Sequence, residues 1–210
     1  MMFRILMFVM MCLASSVNAV AAEQEWRFRV FLDDKEIGTH DYVLRRNDSQ
    51  LQVRSEASFE YRLLFVKLYE YQHENTETWS GNCLTAIESQ TDANGEPFRV
   101  SGELRDDRFV LSGSEGTSEL SGCNWSFAYW NSSFLSQDQL INAQNGEVLE
   151  VEVSEPELEE IEVRGNRLTA KRYRLTAGEM KIELWYSEND EWLALETEAR
   201  GGRKLRYVLI

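Results

Sequence analysis

With 36 acidic against 22 basic residues in a chain of 210, the formal charge is −14. A surface this acidic repels phosphate backbones and anionic lipid headgroups, which excludes nucleic acid as an expected partner and favours solubility. The length is enough for one well-buried domain, and Glu155-Pro156-Glu157, the best candidate boundary, reads as a loop inside one sheet because no flexible run surrounds it.

Met1 to Ala22 reads as a secretory signal peptide. It has one charge, Arg4, an apolar run from Ile5 to Ala14, and small residues where cleavage would fall, after Ala19 or after Ala22. A retained anchor is the alternative, but the run is shorter than the ~20 apolar residues of a spanning helix. Cys12 lies inside the run without the small residues that precede a lipidated cysteine, and no later stretch is apolar enough to cross a membrane. The expected product is an exported domain over residues 23–210, periplasmic or released, with no transmembrane segment. Cys83 and Cys123 remain after cleavage. In an oxidising compartment they are expected to form a disulfide; the alternative, a nucleophilic thiol, needs a base at its side.

Beyond the leader the dominant period is two, which marks strands. Trp26, Phe28, Val30 and Leu32 alternate with Arg27, Arg29 and Phe31, and Asp33-Asp34-Lys35 turns the chain into a second strand, Ile37 to Arg46. Leu51, Val53, Ser55, Ala57 and Phe59 alternate with polar partners. The segment from Phe65 to Trp79 is apolar on both faces near its start, so that start is expected to be covered from two sides. Strands follow at Leu84 to Thr91, Phe98 to Leu104 and Arg108 to Ser112, with Asp92-Ala93-Asn94-Gly95 as a strong turn signal. Cys123 to Asn131 crowds aromatic rings without alternation, and Ser136 to Asn142 reads as one helical turn capped by Ser136. Strands resume at Glu147 to Val153, Leu158 to Val163, Leu168 to Thr176, Lys181 to Tyr186, Trp192 to Thr197 and Arg203 to Leu209. The pattern predicts an all-β, mainly antiparallel domain: a curved meander forming a half-open barrel or sandwich, with short helical turns at most.

Several stretches resemble an uncharacterised family of exported bacterial proteins that carry a domain of unknown function. They are Trp26 to Asp33 with Ile37-Gly38-Thr39-His40, Tyr69 to His73 with Glu77 and Trp79, Thr91 to Gly95, Phe127 to Asn131, and Leu184 to Ser187. The resemblance covers essentially the whole chain after the leader. It implies an exported antiparallel β protein and brings no activity or functional residues with it. The tail, Tyr173 to Leu209, is also similar in texture to periplasmic β proteins that resemble the half-barrels carrying lipoproteins and other lipids. That second likeness is one of strand order and aromatic interior, at the level of fold.

Candidate chemistry is sparse. His40 and His73, with Glu74 or Glu77, would make a two-imidazole, one-carboxylate metal site if their strands were neighbours. The other reading is a pair of histidines satisfied by hydrogen bonds near a sheet edge. Gly113-Ser114-Glu115-Gly116 lacks the strand-to-helix elbow of a serine nucleophile and reads as a turn. Glu159-Glu160 and Asp106-Asp107 carry no specific signal in so acidic a chain. The cluster Trp125, Phe127, Tyr129, Trp130 and Phe134 is the strongest candidate, either closing a core or forming a ring-lined binding mouth. The function expected from these features is a non-enzymatic module that binds an apolar or lipid-like molecule and uses no cofactor. The alternatives are an envelope interaction protein and a metal-assisted enzyme acting through His40 and His73.

Overall fold

Segments in which ring or aliphatic residues alternate with charged ones become strands, because only that period buries one face and solvates the other. The computed structural model describes residues 23–47, 49–199 and 201–210. Met1 to Ala22, the expected leader, lies outside the described residues.

The strands are β1 (Glu23–Leu32), β2 (Lys35–Arg46), β3 (Leu51–Leu63), β4 (Val66–Ser80), β5 (Cys83–Ala93), β6 (Glu96–Arg105), β7 (Arg108–Gly113), β8 (Gly116–Ser121), β9 (Gln139–Ile141), β10 (Val148–Val153), β11 (Glu157–Val163), β12 (Asn166–Ala177), β13 (Met180–Tyr186), β14 (Trp192–Ala199) and β15 (Arg203–Leu209). They form one antiparallel sheet in the order β8-β7-β6-β5-β4-β3-β2-β1-β15-β14-β13-β12-β10-β9, with β11 branching from β12. The first and last strands therefore pair in the middle of the strip, Phe28 opposite Leu209 and Val30 opposite Tyr207. The sheet is curled but not closed, since β8 and β9 end the path without pairing to each other. Where β2 passes β3, Gly38 has φ +153 and a Cβ there would sit 1.8 Å from the carbonyl oxygen of Ser58, so the close approach admits glycine alone.

The concave face carries the core, with Phe28, Ile87, Phe109, Leu184, Tyr186 and Trp192 fully buried. Among the described residues the one helical element is a 3-10 turn, Ser132–Ser136. It lies earlier than the expected turn at Ser136 to Asn142, because Asn131 takes the cap, its side chain accepting from the Ser133 N–H at 3.1 Å. Gln139–Ile141 is strand instead: Leu140 pairs with Leu149, and the Ile141 N–H donates to the Trp125 carbonyl at 2.8 Å. Two buried neighbours, Leu140 and Ile141, are better served by a strand held on both sides than by a helical turn with one apolar stripe. β8 was not expected, as Gly116–Ser121 is short and almost wholly exposed.

The start of β4 departs most from expectation. Leu63, Leu64, Phe65 and Val66 are 57, 86, 96 and 59 % exposed, at the tip of the β3–β4 hairpin. Apolarity on two faces signals burial only where something lies against both faces, and here the hairpin projects past its neighbours.

Candidate functional site

The interior of the curl is occupied by two things, a covering segment and a cavity. The segment from Cys123 to Glu147 spans the concave side. On one flank the Leu84 N–H donates to the Asn124 carbonyl at 3.0 Å, Ser89 Oγ donates to the Ala143 carbonyl, and the Ser114 N–H donates to the Asn145 carbonyl at 2.8 Å. On the other flank Tyr186 Oη donates to the Tyr129 carbonyl at 2.8 Å and Tyr129 packs on Trp192 with ring centroids 5.3 Å apart. The Cys83–Cys123 disulfide ties the start of this segment to β5.

Beneath it lies a cavity of about 990 Å³ lined from β1 to β6, β13 to β15 and the covering segment. Leu68, Tyr69, Asn94, Glu96 and Arg203 line one end and are partly or fully exposed, which places the mouth among the hairpins β3–β4, β5–β6 and β14–β15. The walls are apolar and aromatic, with Phe59 stacked on Tyr71 at 5.3 Å and edge-on to Tyr207 at 6.2 Å, and with Leu195 also in the lining. The aromatic cluster divides in two. Phe127, Tyr129 and Trp130 line the cavity, whereas Trp125 and Phe134 are buried in the core, Trp125 against Trp79 at 5.1 Å and Phe134 against Tyr129 at 5.6 Å.

The floor is polar, and register explains why. One cross-strand row reads His40, Ala57, His73, Thr91; the next reads Tyr42, Ser55, Asn75, Ser89; a third reads Leu44, Val53, Glu77, Ile87. Because side chains of one face recur every two residues, these rows place His73, Asn75 and Glu77 on the face that also buries Trp79. His40 and His73 are separated by β3, so their backbones stand two strand spacings apart, roughly 9–10 Å. Small Ala57 between them lets the rings lean together to a centroid distance of 6.5 Å.

These histidines are buried in central strands, not satisfied at an edge. His73 Nδ1 shares a hydrogen bond with Thr91 Oγ1 at 2.8 Å. His40 stacks on Tyr42 at 4.4 Å, and neither of its ring nitrogens has a hydrogen-bond partner among the described residues; nor does Asn75 Oδ1. Burial pulls His40 down to about 3, with His73 adding to the effect, and pulls His73 down to about 4. Both rings are therefore neutral near pH 7. Glu77 accepts hydrogen bonds from Asn75 Nδ2 and Trp79 Nε1, each at 3.0 Å. Burial pushes its carboxyl up, while the polar groups of Ser126, Asn75 and Trp79 pull it back. Among the described residues no three His, Cys, Asp or Glu side chains stand close enough to hold a metal ion, so His40, His73 and Glu77 do not converge on one point. Nor is any helix among these residues long and apolar enough to cross a membrane.

Tyr42, Ser55, Asn75 and Tyr207 belong to this chamber and were not singled out in the sequence. The signal available was the alternation His73-Asn75-Glu77-Trp79, three polar residues sharing a face with a large buried ring.

Fold and chamber together define an open β-barrel-like protein built around a ring-lined cavity with a polar floor. The chain belongs to the family described as Domain of unknown function (DUF6134), which matches residues 28–210. Among solved structures it is similar to a β-barrel-like protein of the domain of unknown function DUF1849 from Brucella abortus, with a TM-score of 0.62 and 12 % sequence identity over 91 % of this chain and 96 % of that one. At that identity the likeness is one of fold. A comparison with curated proteins finds no match.

Proposed function

We propose that this protein is an exported, non-enzymatic carrier or sensor domain that holds one lipid-like molecule in its chamber. The observation that carries the reading is the cavity of about 990 Å³, apolar along its walls, with His40 and Asn75 in its lining and polar atoms of both residues buried without partners among the described residues. A buried donor or acceptor left unpaired costs roughly 1–3 kcal/mol, which a ligand's polar end would relieve once the side chain turned toward it. A neutral imidazole offers one donor and one acceptor, and Asn75 Oδ1 offers an acceptor, so together they suit a group that both donates and accepts. A hydroxyl end fits; a carboxylate, which only accepts and would be buried charged beside Glu77, fits poorly. The half-barrel shape supports a lipid-carrying role by analogy alone, and the disulfide Cys83–Cys123 suits an oxidising compartment reached by way of the proposed leader.

Native mass spectrometry of the exported protein, with solvent extraction, is expected to reveal a bound amphiphile. In a displacement assay with N-phenylnaphthylamine, a long-chain alcohol should compete better at neutral pH than the fatty acid of equal length. Ser55→Phe, which fills the floor between Tyr42 and Asn75, is expected to weaken uptake about tenfold or more without lowering the melting temperature. Equal uptake by Ser55→Phe and the parent protein would move the ligand out of this chamber.

A further inference from the structure

The β3–β4 hairpin is built like a membrane-interface probe, and its turn carries the first sign. Among the other two-residue turns, Asp33-Asp34, Gly81-Asn82, Asn94-Gly95, Asp106-Asp107, Arg164-Gly165 and Gly178-Glu179 hold their first residue at a positive φ of 52–60°. Gly, Asp and Asn tolerate that conformation, and Arg164 is the one long side chain in this set that adopts it. The β3–β4 turn instead uses Leu64-Phe65, with Leu64 held at φ 54. A leucine there strains the backbone and is a poor choice for the turn itself. What the substitution supplies is apolar surface: Leu63, Leu64, Phe65 and Val66 are contiguous and exposed, and Leu68 behind them is 50 % exposed.

Layering behind the tip is the second sign. Register pairs Leu63 with Val66, then Arg62 with Lys67, then Tyr61 with Tyr69, then Glu60 with Glu70. Going back from the tip, the order is aliphatic and aromatic, cationic, tyrosine, anionic. A bilayer of zwitterionic lipid presents the complementary sequence from inside out: hydrocarbon, anionic phosphate, then cationic ammonium. The polar layer on each side of the hydrocarbon is roughly 5–7 Å thick. Arg62 to Glu60 spans two residues of strand, about 7 Å. Arg62 pairs with Glu60 and Lys67 with Glu70, so the ladder is neutral overall and does not need an anionic surface. Long Arg and Lys stems reach the phosphate level while their aliphatic parts stay in apolar surroundings, and tyrosines favour the interface.

Position is the third sign. Tyr61, Leu68 and Tyr69, at the base of the tip, also line the cavity, so the hairpin stands at the mouth of the chamber.

We infer that the β3–β4 hairpin tip, Leu63 to Val66, inserts into the surface of a zwitterionic phospholipid bilayer and sets the cavity mouth against it. The inference rests on the hairpin and its layering, and it holds whether or not the chamber takes a lipid. The chain's charge of −14 opposes anionic membranes, which makes the preferred surface a discriminating property.

The test uses the full exported protein and sedimentation with vesicles of equal parts phosphatidylethanolamine and phosphatidylcholine. The parent protein is expected to sediment, and to do so less well when phosphatidylglycerol replaces half of the lipid. The double variant Leu64→Asn/Phe65→Gly installs the best turn dipeptide, so it should melt at the same or a higher temperature. It is expected to partition about 100-fold more weakly, since each large apolar side chain withdrawn is worth about tenfold. In Phe65→Trp, brominated lipid should quench the added indole. Failure of the parent protein to bind vesicles while it still takes up N-phenylnaphthylamine would overturn the docking inference and leave the chamber reading standing. A concentration-dependent dimer that the double variant abolishes would assign the tip to a second copy of the chain and also overturn it. Vesicle binding by a protein that takes up no amphiphile would support the tip and remove the chamber.

Discussion

Removing the Cys83–Cys123 bond is expected to cost about 4 kcal/mol of stability, from the chain entropy of releasing a loop of 40 residues. The loop holds β5 to β8, four strands that could otherwise explore many arrangements in the unfolded chain. The loss has a second effect in the native state. Cys123 begins the segment that covers the concave face, and the nearby Leu84–Asn124 backbone bond and the packing of Trp79 on Trp125 and Trp130 follow from that tie. Cys83→Ser should therefore lower the urea midpoint, change tryptophan emission, and leave Cys123 reactive to alkylation. Tyr186 and Ser114 still hold the far part of the segment, so amphiphile uptake should weaken without vanishing. If the parent protein, unfolded without reductant, takes up two equivalents of alkylating agent, the cysteines are not paired and no such cost is expected.

The fold was legible because so much of it is written in one local rule. Trp26, Phe28 and Val30, or Leu51, Val53 and Ser55, declare an inner face without reference to anything distant, and turns such as Asn94-Gly95 declare where the strand stops. The outcome differs where a segment's state depends on remote neighbours. Leu140 and Ile141 look as suitable for a helical turn as for a strand until β10 lies beside them. Leu63 to Val66 look buried until the hairpin is seen to overreach the sheet. The chamber was half legible for the same reason. Phe127, Tyr129 and Trp130 announce themselves by size and crowding. Ser55 and Asn75 matter only through the register that aligns them with Tyr42 across three strands, and register between strands is not a local property. The paired histidines needed Ala57, a residue with no chemistry of its own, to bring them within 6.5 Å.

Acid is expected to destabilise this protein before its surface carboxylates are protonated, and the two histidines set the direction. In the unfolded chain each imidazole takes a proton near 6.5; in the folded chain His40 does so only at about 3 and His73 at about 4. Between those values the unfolded state binds more protons, so stability is complete above about pH 7 and falls as pH is lowered. At pH 5 each ring contributes a loss of about 2 kcal/mol, at 1.36 kcal/mol per pKa unit, for a ceiling of about 4 kcal/mol. Glu77 runs the other way. Its raised carboxyl keeps a proton in the folded chain that the unfolded chain releases down to 4.5, which offsets part of the loss as pH falls. A melting temperature lower by roughly 10 °C at pH 5 than at pH 7 is the expected scale for a domain of this size. His40→Phe isolates the cause. The ring still stacks on Tyr42, two unpaired buried nitrogens disappear, and the acid-dependent loss should shrink by about half, with stability at pH 7 unchanged or higher. Urea unfolding of both proteins at pH 7 and pH 5 checks this, alongside NMR titration of the imidazoles. Equal losses in the two proteins would mean that His40 already takes its proton in the folded state, and that the floor of the chamber is wetter than its burial implies. An uncharged amphiphile bound to the neutral rings should steepen the acid dependence further, because protonating them removes the acceptor that its hydroxyl needs.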